Sequence, residues 1–222
     1  VPAYTYDEGQ RGITVTGSRD VKPKELLELS FDFSGWFNCM SVWQQQDDTE
    51  KCLRQFHVKG DDKLHELVDK FSRHFLAHEF KFVRIWGEPR GHDKQPMGPT
   101  IYESLKKIFE SKGWGCEISV PAGRTTDHIE RHHFISEILL EENPLLPKIR
   151  INREECKDLI ISLQTTQLTP DFRKNKSKEK DRDYPQEHAT HYTDTFDYYL
   201  VQKHGWKVMG LNSQRASQVM FG

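Results

Sequence analysis

Residues 26–33 read LLELSFDF. A short run rich in Leu and Phe, set off by turn-like polar residues, has the composition of a β-strand. Two further runs follow, FNCMSVWQQ over 37–45 and KCLRQFHV over 51–58, each apolar or aromatic and separated by polar residues. Three consecutive strands pair most simply as an antiparallel meander. One residue in the first run is out of place: Asp32 stands between Phe31 and Phe33, where a central strand holds an apolar or β-branched side chain.

Downstream the period changes. Leu64, Leu67, Val68, Phe71 and Phe75 recur at helical spacing, an amphipathic helix with Asp61 or Asp62 available as its cap. The strand FKFVRIWG (80–87) comes next, then a helix carrying Ile101, Leu105, Ile108 and Phe109 and closed by Gly113, then a strand over 115–120. Helices follow at 128–142 and 154–166, with a short strand at 148–152 between them and a last helix at 193–203. The order is strand-strand-strand-helix-strand-helix-strand-helix, with an extra helix and loop before the end. Three antiparallel strands extended by parallel ones make an α/β protein with a mixed central sheet flanked by helices, the order of the ribonuclease H fold.

The chain has 222 residues, with 32 Lys and Arg against 34 Asp and Glu. That length suits one domain with a sizeable core. No apolar run approaches the ~18 residues of a spanning helix, so no membrane association is expected. Cys39, Cys52, Cys116 and Cys156 are scattered singly, which argues for reduced structural thiols and against a zinc module or a disulfide-stapled domain. A net charge of -2 gives no blanket basic surface, so contact with nucleic acid needs a local patch or bound cations. The start at Val1, with no leader behind it, reads as a piece of something longer. Residues 1–25, turn-rich with Gly9, Gly12, Gly17 and Pro23, read as a lead-in, 26–210 as the folded domain and 211–222 as a tail. The stretch 173–182 is basic: Arg173, Lys174, Lys176, Lys178, Lys180 and Arg182 against Glu179 and Asp181. It reads either as a loop that contacts phosphates or as a solvated charged loop.

Three acids carry the chemistry. A buried charge at Asp32 costs several kcal/mol unless it is paired or metal-bound, the alternative being a strand end that faces solvent. Glu88 follows the strand FVRIWG in WGEPRG, where Gly and Pro turn the chain and leave the carboxylate at the carboxyl edge of the sheet, where ligands of open α/β sheets gather. Its plainer reading is a turn acid paired with Arg84 or Arg90. In HYTDTFDYYL (191–200), Asp194, Asp197 and Val201 share one helix face opposite an apolar stripe of Phe196, Tyr199 and Leu200, which places the Asp face at the helix edge. Asp194 also lies in the first turn, which the helix dipole favours for any acid. Carboxylates from a first strand, a fourth strand and a last helix are hard oxygen ligands suited to Mg2+ or Mn2+. Two such ions roughly 3.5–4 Å apart activate a water and stabilise the leaving oxygen of a phosphodiester.

At these residues the chain resembles the C-terminal nuclease domain of the large terminase subunit of tailed bacteriophages and prophages. LSFDFS resembles the family's first-acid strand, WGEPRG its second-acid turn, and HYTDTFDYY its closing His, Ser/Thr, Asp segment. PKIRINREECKDLIISL (147–163) and KNKSKEK (174–180) resemble its Asn/Cys helix and its Lys-Ser-Glu loop, so the likeness runs over about residues 4–204. Two positions depart from the pattern: Ser34 stands where many relatives have Asn, and Glu88 where Asp is commoner. The resemblance implies a metal-dependent endonuclease that cuts double-stranded, concatemeric DNA with little sequence preference during genome packaging. It implies Asp32, Glu88 and Asp194 as catalytic metal ligands on a pair of Mg2+ or Mn2+ ions, Asp197 as an auxiliary ligand, and Lys174 and Lys176 as DNA contacts. It further implies an ATPase domain, a small terminase subunit and a portal as partners, a monomeric isolated domain, and the cytoplasm of the bacterial host as its place. GEPRGHDK (87–94) lacks the GK[ST] of a phosphate loop, so the motor is expected elsewhere. Other readings keep the fold as a resolvase or transposase-type strand-transfer domain, or make the acids structural in a non-catalytic DNA-binding or portal-docking module.

Some residues stay double. His191, three before Asp194, reads as a metal or water ligand or as a hydrogen-bonded structural histidine. His132 and His133, with Arg124 and Arg131, read as added positive potential at lower pH or as ordinary surface. Trp36 and Phe37, just after the first acid, are candidates for lining a cleft.

Overall fold

The stretch LELSFDF forms strand β2 (Leu27–Phe33), flanked on both sides in the sheet of a computed structural model that describes residues 2–4, 14–15, 21–60, 63–94, 98–121, 126–181 and 183–209. It pairs antiparallel with β3 (Phe37–Gln46), which pairs antiparallel with β4 (Thr49–Lys59), the expected meander. On its other side β2 runs parallel to β5 (Phe82–Gly87), and β5 parallel to β6 (Gly115–Ile118). The short strand β7 (Lys148–Asn152) runs parallel to β4, and β1 (Thr14–Val15) parallel to β7. Among the described residues the sheet therefore has seven strands in the order β1-β7-β4-β3-β2-β5-β6, an antiparallel trio extended by parallel strands at both edges. This is a ribonuclease H-like fold.

Helices cover both faces. One face carries α1 (Leu64–His74) and α2 (Ile101–Ser111), the other α3 (His128–Leu140), α4 (Lys157–Thr165) and α5 (His191–His204), followed by the single turn α6 (Trp206–Met209). Helix α1 buries Leu67, Val68 and Phe71, and its N-cap position is Lys63; Asp61 and Asp62 lie outside the described residues. Helix α2 starts in a reciprocal capping box between Thr100 and Glu103 and ends before Gly113, whose φ of 77° reverses the chain. The apolar residues of β2, Leu27, Leu29 and Phe31, enter the core under α1 and α2. Alternation then turns Glu28, Ser30 and Asp32 toward α5, so the face of a central strand that meets this helix is polar throughout.

The residues at the chain's start are joined to this domain where they are described. Thr14 and Val15 extend the sheet, Pro2 bridges Gln167, and Tyr4 is buried against Phe196. Arg124, Arg182 and the stretch 211–222 lie outside the described residues.

Candidate metal centre

Asp32 is the last but one residue of β2 and 5% exposed, which excludes a solvent-facing strand end. The parallel register sets Phe31 beside Gly87, so Glu88, one step past the end of β5, comes next to Asp32 at the carboxyl ends of two adjacent strands. Gly87 makes that turn possible. Its φ is 147°, and a Cβ there would stand 2.5 Å from the Phe31 carbonyl oxygen. The Glu88 N–H donates to Phe31 O (3.1 Å), the Tyr102 hydroxyl donates to Glu88 O (2.8 Å), and the Gln202 amide of α5 exchanges hydrogen bonds with Gly87 in both directions, at 3.1 and 2.7 Å. Ser34 closes the β2–β3 turn by hydrogen bonds to Phe37.

Helix α5 supplies the other acids and departs from the amphipathic expectation. Its Asp face is not at an edge: Asp194 and Asp197 are each 3% exposed, as buried as Phe196 and Tyr199 on the opposite side are. The helix packs on β2 and β3, and Tyr4, Lys174 and Lys176 cover its carboxylates. The charge is tolerated because the carboxylate oxygens have partners. Asp194 Oδ1 accepts from Lys174 Nζ at 2.7 Å and Oδ2 from Lys176 Nζ at 2.6 Å, while Asp197 Oδ1 accepts from the Tyr4 hydroxyl at 3.0 Å and Oδ2 meets Lys174 Nζ at 2.7 Å. Asp194 still lies in the first turn, so the dipole favours it as well.

The three acids share one electrostatic neighbourhood. Tyr198, on α5, has its phenol pushed well above its ordinary value by burial and then by the charges of Asp194, Asp32 and Glu88. Burial raises the Asp32 carboxyl, against a 2.9 Å hydrogen bond from His191 Nδ1, and the Asp194 charge adds to the rise. Burial also raises Glu88, helped by Asp32 and opposed by Arg90, whose Nε lies 2.6 Å from Glu88 Oε1. Burial opposes ionisation of Asp194 too, but the Lys174 and Lys176 ammoniums outweigh it and hold that carboxyl well below the usual range. Burial alone would lower His191; its hydrogen bond to Asp32 and that carboxylate's charge raise it instead.

The donor chemistry fits a hard divalent cation, since every acid offers carboxylate oxygen. In the arrangement described, Glu88 pairs with Arg90, Asp194 with Lys174 and Lys176, Asp197 with the same Lys174, and Asp32 with His191, and among the described residues no group of three or more His, Cys, Asp or Glu closes into a cage for a metal. A cation at Asp194 is thus already provided by the chain.

The doubly read residues have partners within the chain. Glu88 pairs with Arg90, while Arg84 goes to Glu28 and Glu117. His191 is a hydrogen-bonded histidine, with Asp32 on Nδ1, Gln186 Oε1 3.3 Å from Nε2, and Phe37 stacked 4.9 Å from its ring. Phe37 is buried and supports that ring, while Trp36 is exposed. A cleft beside Asp197 is bordered by His128, Arg131, His132, Phe172 and Lys174.

Two features escape sequence reasoning. Tyr4 sits in a turn-rich stretch with no periodic signal. The second is a buried ionic network at the far end of α5: the Tyr199 hydroxyl lies 2.6 Å from Glu50 Oε2 and 3.0 Å from Glu28 Oε2, Lys203 meets both carboxylates, and His204 Nε2 lies 2.8 Å from Glu50 Oε1. The polar alternation Glu28, Ser30, Asp32 within an otherwise apolar strand is the signal that announces it.

No protein-family model matches the chain, and no curated protein matches its sequence. Solved structures do match in shape. The nuclease domain of the P22 large terminase has a TM-score of 0.55 at 12% identity, covering 91% of this chain and 92% of that one. The large terminase of a thermophilic bacteriophage, in complex with ATP-gamma-S, has a TM-score of 0.55 at 13% identity, covering 88% of this chain and 43% of that one. The chain thus spans less than half the length of that second protein. The likeness is one of fold: this is the architecture of a large terminase nuclease domain.

Proposed function

We propose that the protein is a metal-dependent endonuclease acting on double-stranded DNA, with little sequence preference, as the cutting domain of a viral packaging terminase. What supports this reading is that Asp32, Glu88 and Asp194 are all buried, Glu88 following the β5 residue that pairs beside Phe31, and Asp32 joined to the first turn of α5, which carries Asp194, through His191. Buried like charges in one place are costly unless cations answer them, and clusters of this kind gather at functional sites. Asp32, Glu88 and Asp194 would hold the metal, with Asp197 behind Asp194 as an auxiliary. Mg2+ or Mn2+, as a pair of ions, supplies a polarised water and charge stabilisation for phosphodiester hydrolysis.

The chain's own residues prepare that chemistry. His191 fixes the Asp32 carboxylate through Nδ1, with Gln186 and Phe37 holding the ring. Gly87, Tyr102 and Gln202 fix the backbone at Glu88. Lys174 and Lys176 keep Asp194 ionised. Arg131, in the cleft that borders Asp197, would meet a phosphate backbone read by charge and not by base. Within a whole terminase the partners of this domain would be the ATPase domain, the small subunit and the portal, in the host bacterium's cytoplasm.

Supercoiled plasmid incubated with the protein and Mn2+ tests the reading. Nicked or linear product is expected from the parent and none from Asp32→Asn of unchanged melting temperature; equal cutting by both would refute the assignment.

A further inference from the structure

Lys174 and Lys176 hold the same carboxylate in different ways. Lys174 is shut in: its side chain is 10% exposed, its Nζ bridges Asp194 and Asp197 at 2.7 Å to each, and it lies 5.5 Å from the centroid of the Tyr4 ring. Withdrawing it would leave two buried carboxylates on one helix without a shared cation. Lys176 approaches Asp194 Oδ2 from outside. Its side chain is 49% exposed, with Nζ 2.6 Å from Asp194 and 3.1 Å from Glu179 Oε1, itself on the 3-10 turn Ser177–Lys180. Leaving Asp194 needs only rotation of a half-exposed side chain that keeps a second carboxylate and water within reach.

Glu88 is answered by Arg90, Asp194 by Lys174 and Lys176, and Asp197 by the same Lys174, while Asp32 meets His191. A divalent cation approaching so balanced a cluster gains little until one of these cations leaves. Of the two at Asp194, Lys176 is the one free to go.

We propose that Lys176 is an exchangeable counter-cation of Asp194, displaced when a divalent metal ion binds, while Lys174 stays as the fixed bridge to Asp197. This rests on the reading of Asp194 as a metal ligand. The displaced ammonium remains at the mouth of the site, where the phosphate backbone of DNA would take it up, so metal loading and DNA contact are coupled through one side chain. Of the two lysines, Lys176 is then the one that meets phosphate, and Lys174 keeps an internal role.

Two measurements test it without reading activity. In the first, the parent is treated with acetic anhydride with and without Mg2+, and lysine labelling is followed by mass spectrometry. Lys176 labelling is expected to rise at least about threefold with Mg2+ as its ion pair is released, while Lys174 stays protected in both states. In the second, Mn2+ binding is measured by calorimetry. Lys176→Met is expected to bind about 3- to 10-fold more tightly than the parent, the worth of one partly exposed ion pair, and Lys178→Met, which removes an equal charge that meets Tyr184 and not Asp194, within about twofold of the parent. Unchanged Lys176 labelling at Mg2+ levels that raise the melting temperature overturns the exchange, and so does equal tightening in Lys178→Met. If Lys176→Met does not fold, the labelling of the parent decides alone. If the parent takes up no divalent metal by either measure, the reading of the acids as a metal site falls first, and the exchange with it.

Discussion

Replacing Glu50 by Gln separates what holds helix α5 from what the helix carries. Glu50 is fully buried and accepts from three donors: the Tyr199 hydroxyl at 2.6 Å, Lys203 Nζ at 2.8 Å and His204 Nε2 at 2.8 Å. An amide of the same shape removes the charge and turns an NH2 toward those donors. Breaking a buried pair from one side costs roughly 3–5 kcal/mol, and because Lys203 keeps Glu28 the lower end applies, about 3 kcal/mol. For a chain of this length that lowers the melting temperature by roughly 6–12 °C. The pH dependence follows. Although burial opposes its ionisation, His204 and Lys203 hold the Glu50 carboxyl below its ordinary 4.5. A depressed carboxyl contributes stability that is present above 4.5 and lost as the pH falls through the folded value. The gap in melting temperature between parent and Glu50→Gln is therefore wide at neutral pH and narrows in acid. Scanning calorimetry at a series of pH values measures it. A drop below about 2 °C at neutral pH, or a gap that does not narrow in acid, would refute the role given to this network. The network's helix residues, Tyr199 to His204, lie roughly 8–15 Å from Asp194 along the helix, so metal binding should persist in the folded variant.

Gly87→Ala places a Cβ against the Phe31 carbonyl at a positive φ, and should cost at least about 2 kcal/mol in denaturant unfolding and abolish plasmid nicking by displacing Glu88. Phe71→Ala, which empties a fully buried site between Phe75, Phe109 and Trp114, should cost about 3–5 kcal/mol while leaving the stabilisation by Mn2+ intact. Thr100→Ala removes half of the α2 capping box and should cost about 1 kcal/mol in the same measurement. Arg131→Ala, in the cleft beside Asp197, should weaken binding to duplexes of any sequence alike and flatten the log–log salt dependence by about one unit; a sequence-selective loss would contradict a backbone contact.

Much of this fold is legible because its elements obey single periods. Leu67, Val68 and Phe71 repeat at helical spacing, and the three strands of the meander are separated by plain turns, so β2 to β6 and their helices follow from local pattern. Asp32 is legible as an acid that conflicts with the strand around it. What the pattern does not carry is the company each acid keeps. Helix α5 mixes Asp, Thr, Tyr and His on every side, and its burial depends on residues far along the chain: Tyr4 over Asp197, and Lys174 and Lys176 over Asp194. The basic stretch 173–182 reads from composition as a surface loop, yet Lys174 faces inward because two buried carboxylates lie beneath it. The pairing of Thr14 and Val15 with β7 leaves no trace either, since two residues are too few for a period.

The central claim is that Asp32, Glu88 and Asp194 form one divalent-cation site. Anomalous scattering from a crystal soaked in Mn2+ tests it most directly. Manganese peaks bounded by these three carboxylates, with Lys176 turned away from Asp194, are the predicted result. A saturated crystal with manganese only elsewhere, or with the acids still held by His191, Arg90, Lys174 and Lys176, would contradict it.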